Sequence, residues 1–144
     1  MRIIMITGEK DSGKTSICAE LIGIRKKFYN RYPRKFKNKI AGVVVNEKNC
    51  VIVSEGDDER CIKNVRTYLK EAEQDLVNSC NKNIDYLIVT VRSKSPDLVN
   101  FAKKELFEFD SQPIEIKTTK STDEDFSISK EYWNKGKEIK SNIN

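Results

Sequence analysis

Short apolar runs alternate along the chain with longer segments in which apolar residues recur every three or four positions. The runs predict five strands, at residues 2–7, 40–45, 50–54, 84–91 and 113–118. The runs at 2–7 and 84–91 are apolar almost throughout, which is typical of strands buried on both faces of a parallel sheet. Residues 46–49, Asn-Glu-Lys-Asn, have the composition of a hairpin turn.

The helical spacing predicts four helices, at residues 14–28, 57–80, 95–107 and 129–140. The longest, 57–80, keeps the i, i+3, i+4, i+7 rhythm of one buried face. The third opens with Ser95-Pro96-Asp97, an N-cap followed by proline at the first helical position. Strands alternating with helices predict an α/β fold, a three-layer αβα arrangement with a mainly parallel sheet. The length of 144 residues suits a single domain, 1–144.

Composition excludes several classes of protein. No apolar stretch approaches the roughly 18 residues of a membrane span, and the apolar start is too brief for a secretory signal. We therefore expect a cytoplasmic protein with no membrane association. The four cysteines lie far apart, at Cys18, Cys50, Cys61 and Cys80, which favours neither a disulfide framework nor a zinc site. Cys18 and Cys61 stand at apolar helical positions and are expected to be buried small hydrophobes.

The chain contains no histidine. Hydrolase chemistry that depends on a histidine base is therefore excluded, and any general base must be Asp, Glu, Lys or a positioned water.

The net charge is +5, and much of the excess lies between residues 25 and 39, which hold eight basic residues and no acid. One interpretation is a solvated helix end followed by a loop. The others are electrostatic attraction of a nucleotide or acidic substrate, or of a nucleic acid backbone. Nucleic acid is the weakest of these, because no recognisable nucleic-acid-binding pattern accompanies the charge.

Residues 8–15 read Gly-Glu-Lys-Asp-Ser-Gly-Lys-Thr and follow the first predicted strand directly. This is a complete G-x-x-x-x-G-K-[ST] pattern between a strand and a helix. Gly8 and Gly13 allow a tight turn whose backbone N–H groups hold phosphate oxygens, next to the positive end of the helix dipole. Lys14 is expected to reach the β- and γ-phosphates, and Thr15 to offer its hydroxyl to Mg²⁺.

Through residues 1–28, on the strength of this motif, the chain resembles the P-loop NTPase superfamily. The resemblance implies a P-loop NTPase-like fold that binds ATP or GTP together with Mg²⁺. The N-K-x-D pattern that reads guanine is absent, so nothing favours GTP over ATP. The expected nucleotide-binding residues are Gly8, Glu9, Lys10, Asp11, Ser12, Gly13, Lys14, Thr15 and Ser16.

The chain departs from the family at the second landmark, an apolar strand that ends in an aspartate orienting Mg²⁺. The late apolar strand ends in Thr90-Val91 and is followed by Arg92, whereas the run at 50–54 leads into Glu55, Gly56 and Asp57. Glu55 or Asp57 would therefore assist Mg²⁺, unless these acids serve only to cap the next helix.

Two further residues are candidates for the chemistry. Arg92 could meet phosphate charge that develops during transfer, or it could be an ordinary surface arginine. Asp11, inside the loop, could act as a base, contact an acceptor or simply be solvated. We expect Lys14, Glu55, Asp57 and Arg92 to be the catalytic set.

The sequence predicts a small nucleotide-binding protein, a Mg²⁺-dependent ATPase or phosphotransferase of unspecified acceptor. The alternative is a non-catalytic or slowly hydrolysing nucleotide-binding module that acts through a protein partner. Neither the acceptor nor the oligomeric state is indicated by any pattern in the chain.

Overall fold

The computed structural model describes residues 1–9, 13–14, 17–18, 21, 26–29, 40–54, 56–80, 83–93, 96–118 and 126–144. The elements traced within them are β1 (Arg2–Gly8), β2 (Lys26–Tyr29), β3 (Ile40–Val45), β4 (Lys48–Val53), α1 (Glu59–Cys80), β5 (Tyr86–Arg92), α2 (Pro96–Glu105), β6 (Ile114–Lys117) and α3 (Phe126–Ser141). Lys14, Ile17, Cys18 and Leu21 are also helical. None of the helices in this described part combines the length and the apolar character that a bilayer crossing needs.

The strands form one sheet in the order β2-β3-β4-β5-β1-β6. The pairings of β4 with β5, β5 with β1 and β1 with β6 are parallel, and those of β2 with β3 and β3 with β4 are antiparallel. The predicted α/β class is confirmed, and the sheet is mixed but mostly parallel.

Helical residues pack against both faces of the sheet. Ile3 and Met5 of β1 lie in one buried cluster with residues of α1 and α2. Ile4 and Ile6, which alternate with them, lie in a second cluster with residues of α3 and of the helical segment after β1. The predicted burial of this strand on both faces is confirmed, and each buried side chain contributes about 1.5–3 kcal/mol of hydrophobic stabilisation.

The prediction of a helix over 14–28 is wrong at its C-terminal end. Lys26–Tyr29 form β2, which pairs antiparallel with β3. Aromatic residues favour strands, and the open edge of β3 supplies a pairing partner that outweighs a weak local preference for helix. The interpretation as a solvated helix end therefore fails for these four residues, and residues 30–39 lie outside the described part of the chain.

The hairpin between β3 and β4 is confirmed, with a tighter turn than the four residues predicted. Asn46 and Glu47 form it, and both have positive φ, 50° and 65°. Two positive φ values in succession define the type I′ turn, whose twist matches that of the flanking strands. The Asn46 amide also donates hydrogen bonds to the carbonyls of Lys140 and Ile143, which join the turn to the end of α3.

Candidate phosphate-binding site

The candidate site lies where the direction of chain winding changes in the sheet. β1 and β5 are adjacent and parallel, and their ends pair Gly8 with Arg92. The helical residues that follow β1 pack on one face of the sheet, whereas α2, which follows β5, packs on the other. Such a switch point leaves a crevice at the carboxyl ends of the two strands, where α/β proteins bind ligands.

Within the predicted phosphate loop, residues 8–15, the described residues are Gly8, Glu9, Gly13 and Lys14. Gly8 ends β1, and Gly13 has a φ of 85°, in the left-handed region that favours glycine. The amide of Ile17 donates to the carbonyl of Gly13 at 2.9 Å, which closes the first helical turn. The loop therefore runs from the end of a central strand directly into the N-terminus of a helix.

The Lys14 ammonium folds back over the beginning of this loop. Its Nζ donates to the carbonyl oxygens of Gly8 at 2.9 Å and of Glu9 at 2.6 Å. The Gly8 carbonyl also accepts the amide of Ser93, which follows β5, at 2.8 Å. A half-buried positive charge is thus held at the mouth of the crevice, beside the end of the neighbouring strand.

Gly56 brings the segment after β4 across the carboxyl end of β5. A Cβ atom at this position would overlap the carbonyl oxygen of Thr90, and the Gly56 carbonyl accepts the amide of Arg92 at 2.9 Å. Glycine is required here because two backbones approach closely.

The crossing at Gly56 brings together Asp57 and Arg92, two of the predicted catalytic residues. Arg92 Nη2 lies 3.4 Å from Asp57 Oδ1, with the arginine side chain 25% exposed and the aspartate 51% exposed. The Arg92 Nε is buried and has no hydrogen-bond acceptor among the described residues. An unsatisfied buried donor costs about 1–3 kcal/mol, a penalty that an oxyanion placed beside it would relieve.

Asp57 and Asp58, the two acidic residues just before α1, make different contacts. Asp58 caps α1, because its carboxylate accepts the Cys61 amide at 2.8 Å, and this hydrogen bond lowers the pKa of Asp58 below its ordinary value. Asp57 is free of that capping contact and faces Arg92. Asp58, rather than Asp57, therefore caps α1. Glu55 lies outside the described residues.

In the described part of the site, the Asp57 carboxylate is the one side-chain oxygen donor suited to Mg²⁺. Within that part no group of three or more His, Cys, Asp or Glu residues could hold a metal ion by itself. Of the other residues predicted to bind nucleotide or metal, the following lie outside the described residues: Lys10, Asp11, Ser12, Thr15 and Ser16.

Sequence reasoning assigned no role to two residues at the strand ends, Ser93 and Thr118. Ser93 anchors the start of the loop through its amide, as noted above. Thr118, after β6, donates from both its amide and its Oγ1 to the carbonyl of Thr7, at 2.7 and 3.1 Å. Both residues are polar and follow a buried strand closely, and this pattern could have identified them. The sequence does not indicate which strands are neighbours in the sheet.

Cys18 and Cys50 are core residues and not candidates for the site. Cys18 and Cys50 are both buried in the core cluster that covers one face of the sheet. Burial raises the pKa of each thiol to about 12, so neither is a thiolate at neutral pH. The expectation of a buried small hydrophobe is confirmed for Cys18, whereas Cys61 is only partly buried.

No protein-family model matches the chain, and no curated protein is significantly similar to it.

Proposed function

We propose that the chain is a P-loop nucleotide-binding protein of three-layer αβα architecture that binds ATP with its phosphates on residues 8–15. The observation that carries the proposal is the Lys14 ammonium, held 2.9 and 2.6 Å from the carbonyls of Gly8 and Glu9 at the junction of a strand and a helix. Backbone N–H groups, a helix N-terminus and a positive charge at one point form an environment that suits a polyphosphate.

The residues have distinct parts in binding. Lys14 would exchange its carbonyl contacts for β- and γ-phosphate oxygens, to which a charge-assisted hydrogen bond is stronger. Arg92 would offer its unsatisfied Nε–H to the same anion. Thr15, together with Glu55 or Asp57, would hold Mg²⁺, and the bound ion supplies charge neutralisation between the phosphates.

The activity proposed is that of a Mg²⁺-dependent ATPase or a phosphotransferase acting in the cytoplasm. The chain has no histidine, so the attacking water or acceptor hydroxyl would be oriented by a carboxylate. Glu55 and Asp11 are the candidate carboxylates for this role.

One observation favours a second candidate, a nucleotide-binding module that hydrolyses slowly and acts through a protein partner. β5 lies directly beside β1, and its last residue is Arg92, at the place where the family has a metal-orienting aspartate. The nearest described carboxylate, Asp57, is paired with that arginine.

Calorimetric titration with Mg-ATP tests the binding proposal. Lys14→Ala should weaken affinity about tenfold to a hundredfold, because it removes a charge-assisted hydrogen bond. Lys104→Ala is the matched control: Lys104 is exposed on α2 and lines a different groove, so affinity should be unchanged. Equal affinity in the wild type and Lys14→Ala would refute the proposal.

Phosphate release at steady state then separates the two candidates. Turnover that disappears in Glu55→Gln or Asp57→Asn while Mg-ATP still binds would support an enzyme. Tight binding with no release in the wild type, with or without candidate acceptors, would support the regulatory module.

A further inference from the structure

A second polar cavity lies beside the phosphate loop, on the face of the sheet that α1 and α2 cover. Its volume is about 420 Å³, and it lies between α2 and the carboxyl ends of β1 and β6. Its polar lining includes Thr7, Ser93, Asn100, Lys103, Glu115 and Lys117. Neither Lys14 nor Arg92 lines it, so the cavity adjoins the crevice described above and shares only strand-end residues such as Ser93 with it.

Glu115 organises the floor of this cavity. Its Oε1 accepts the Thr7 hydroxyl at 3.1 Å, and its Oε2 accepts the Lys103 ammonium at 3.1 Å. Partial burial works to raise the pKa of Glu115, but the hydrogen bonds from Lys103 and Thr7 outweigh it and hold the pKa below the ordinary value. Glu115 is therefore a carboxylate with both oxygens engaged, and it fixes Lys103 in place.

Each group left to meet a ligand can donate a hydrogen bond, although the Asn100 amide and the Ser93 hydroxyl can also accept one. The Lys103 ammonium uses one of its three N–H groups on Glu115. Within the described part of the chain, the Asn100 amide and the Ser93 hydroxyl make no hydrogen bond to protein, and both line the cavity. With Lys117 added, two ammonium groups and one carboxylate give the lining a net positive charge.

We propose that this cavity binds a small polar molecule that carries a carboxylate or phosphate group. Donors and net positive charge select an anionic, acceptor-rich ligand. The volume lies within the range of roughly 300–1,000 Å³ found for small-molecule sites. The proposal does not rest on the proposed function, because neither Lys14 nor Arg92 lines the cavity.

Amide shifts in ¹⁵N–¹H NMR spectra of the full chain test the proposal, with inorganic phosphate and succinate as separate probes. We expect saturable shifts at Asn100, Lys103 and Lys117 with one or both probes, and the stronger probe identifies the preferred anionic group. Lys117→Met and Asn100→Asp should each weaken binding about tenfold, through loss of an ammonium or gain of a repelling charge. Both residues are exposed and neither is hydrogen-bonded to Glu115, so the fold is retained.

Lys104→Met is the matched control, because Lys104 lies on the same helix but lines a separate groove. It should leave the affinity for either probe unchanged. Equal affinities in Lys117→Met, Asn100→Asp and the wild type would overturn the proposal, as would the absence of any shift. Phosphate shifts confined to Gly13 and Lys14, and lost in Lys14→Ala, would also overturn it while leaving the proposed nucleotide site intact.

Discussion

At the residue scale, Lys14 and Arg92 carry the polar groups on which the proposed polyphosphate site depends. The Lys14 ammonium donates hydrogen bonds to two backbone carbonyl oxygens, at 2.9 and 2.6 Å. These oxygens are weaker acceptors than a phosphate oxygen. Arg92 keeps one buried N–H without an acceptor among the described residues. Both side chains would therefore gain hydrogen bonds when a polyphosphate arrives, at little cost in reorganisation.

Asp110 provides a test of stability at the residue scale. Partial burial works to raise its pKa, but hydrogen bonds from the amides of Ile3 and Gln112, together with Arg2, outweigh this and hold the pKa below 3.8. A depressed pKa contributes stability above the pKa of the unfolded chain, and that contribution is lost as pH falls through the folded value.

We therefore expect the urea midpoint of the wild type to fall as the pH is lowered from about 5 toward 3. In Asp110→Asn the midpoint should be lower at pH 7 and should depend less on pH over this window. Asp97→Asn, at an exposed position of α2, should retain the wild-type dependence. Identical pH profiles for Asp110→Asn and the wild type would show that this carboxylate contributes nothing.

At the scale of elements, the β3–β4 turn has an unusual backbone conformation. The β3–β4 turn accepts two residues with positive φ because Asn46 tolerates that region and is held by carbonyls at the end of α3. Glu47 does not tolerate positive φ as asparagine does, and a glutamate at a φ of 65° is sterically strained. The turn thus keeps a strained residue at its second position.

Glu47→Gly should stabilise the protein by up to about 1 kcal/mol, because glycine adopts positive φ without strain and Asn-Gly is the preferred type I′ pair. Glu73→Gly, at an exposed position inside α1, should instead destabilise it by about 1 kcal/mol. Denaturant unfolding of both variants gives the comparison. A loss of stability in Glu47→Gly would contradict the assigned turn geometry.

At the scale of the whole molecule, the site depends on which chain segments the sheet brings side by side. β5 is inserted between β4 and β1, so the segment that leaves β4 must cross the end of β5 before α1 begins. Gly56 makes the crossing possible and carries Asp57 to Arg92. The parallel pairing of β1 with β5 places Arg92 opposite Gly8, where the predicted phosphate loop begins.

Gly56→Ala should destabilise the fold by about 1–3 kcal/mol, because its Cβ must displace backbone at Thr90. It should also weaken Mg-ATP binding, since Asp57 and Arg92 would be moved. The control is Gly136→Ala in α3, where an added Cβ meets nothing within 4 Å and should stabilise the helix by about 0.5–1 kcal/mol. Thermal unfolding and calorimetry measure both effects; equal stability of the two variants would contradict the close approach.

The sequence by itself determined the features that neighbouring residues in the chain control. Apolar periodicity located β1 and α1, and turn composition located the β3–β4 hairpin. The phosphate loop that glycine and lysine spacing predicts at residues 8–15 stays a prediction. Only the tertiary structure decided that residues 26–29 form a strand, that Gly56 lies against Thr90, and that Arg92 stands opposite Gly8. The physical reason is that strand pairing joins segments far apart in the chain, and the choice of neighbour is made by the packing of the whole sheet and its helices.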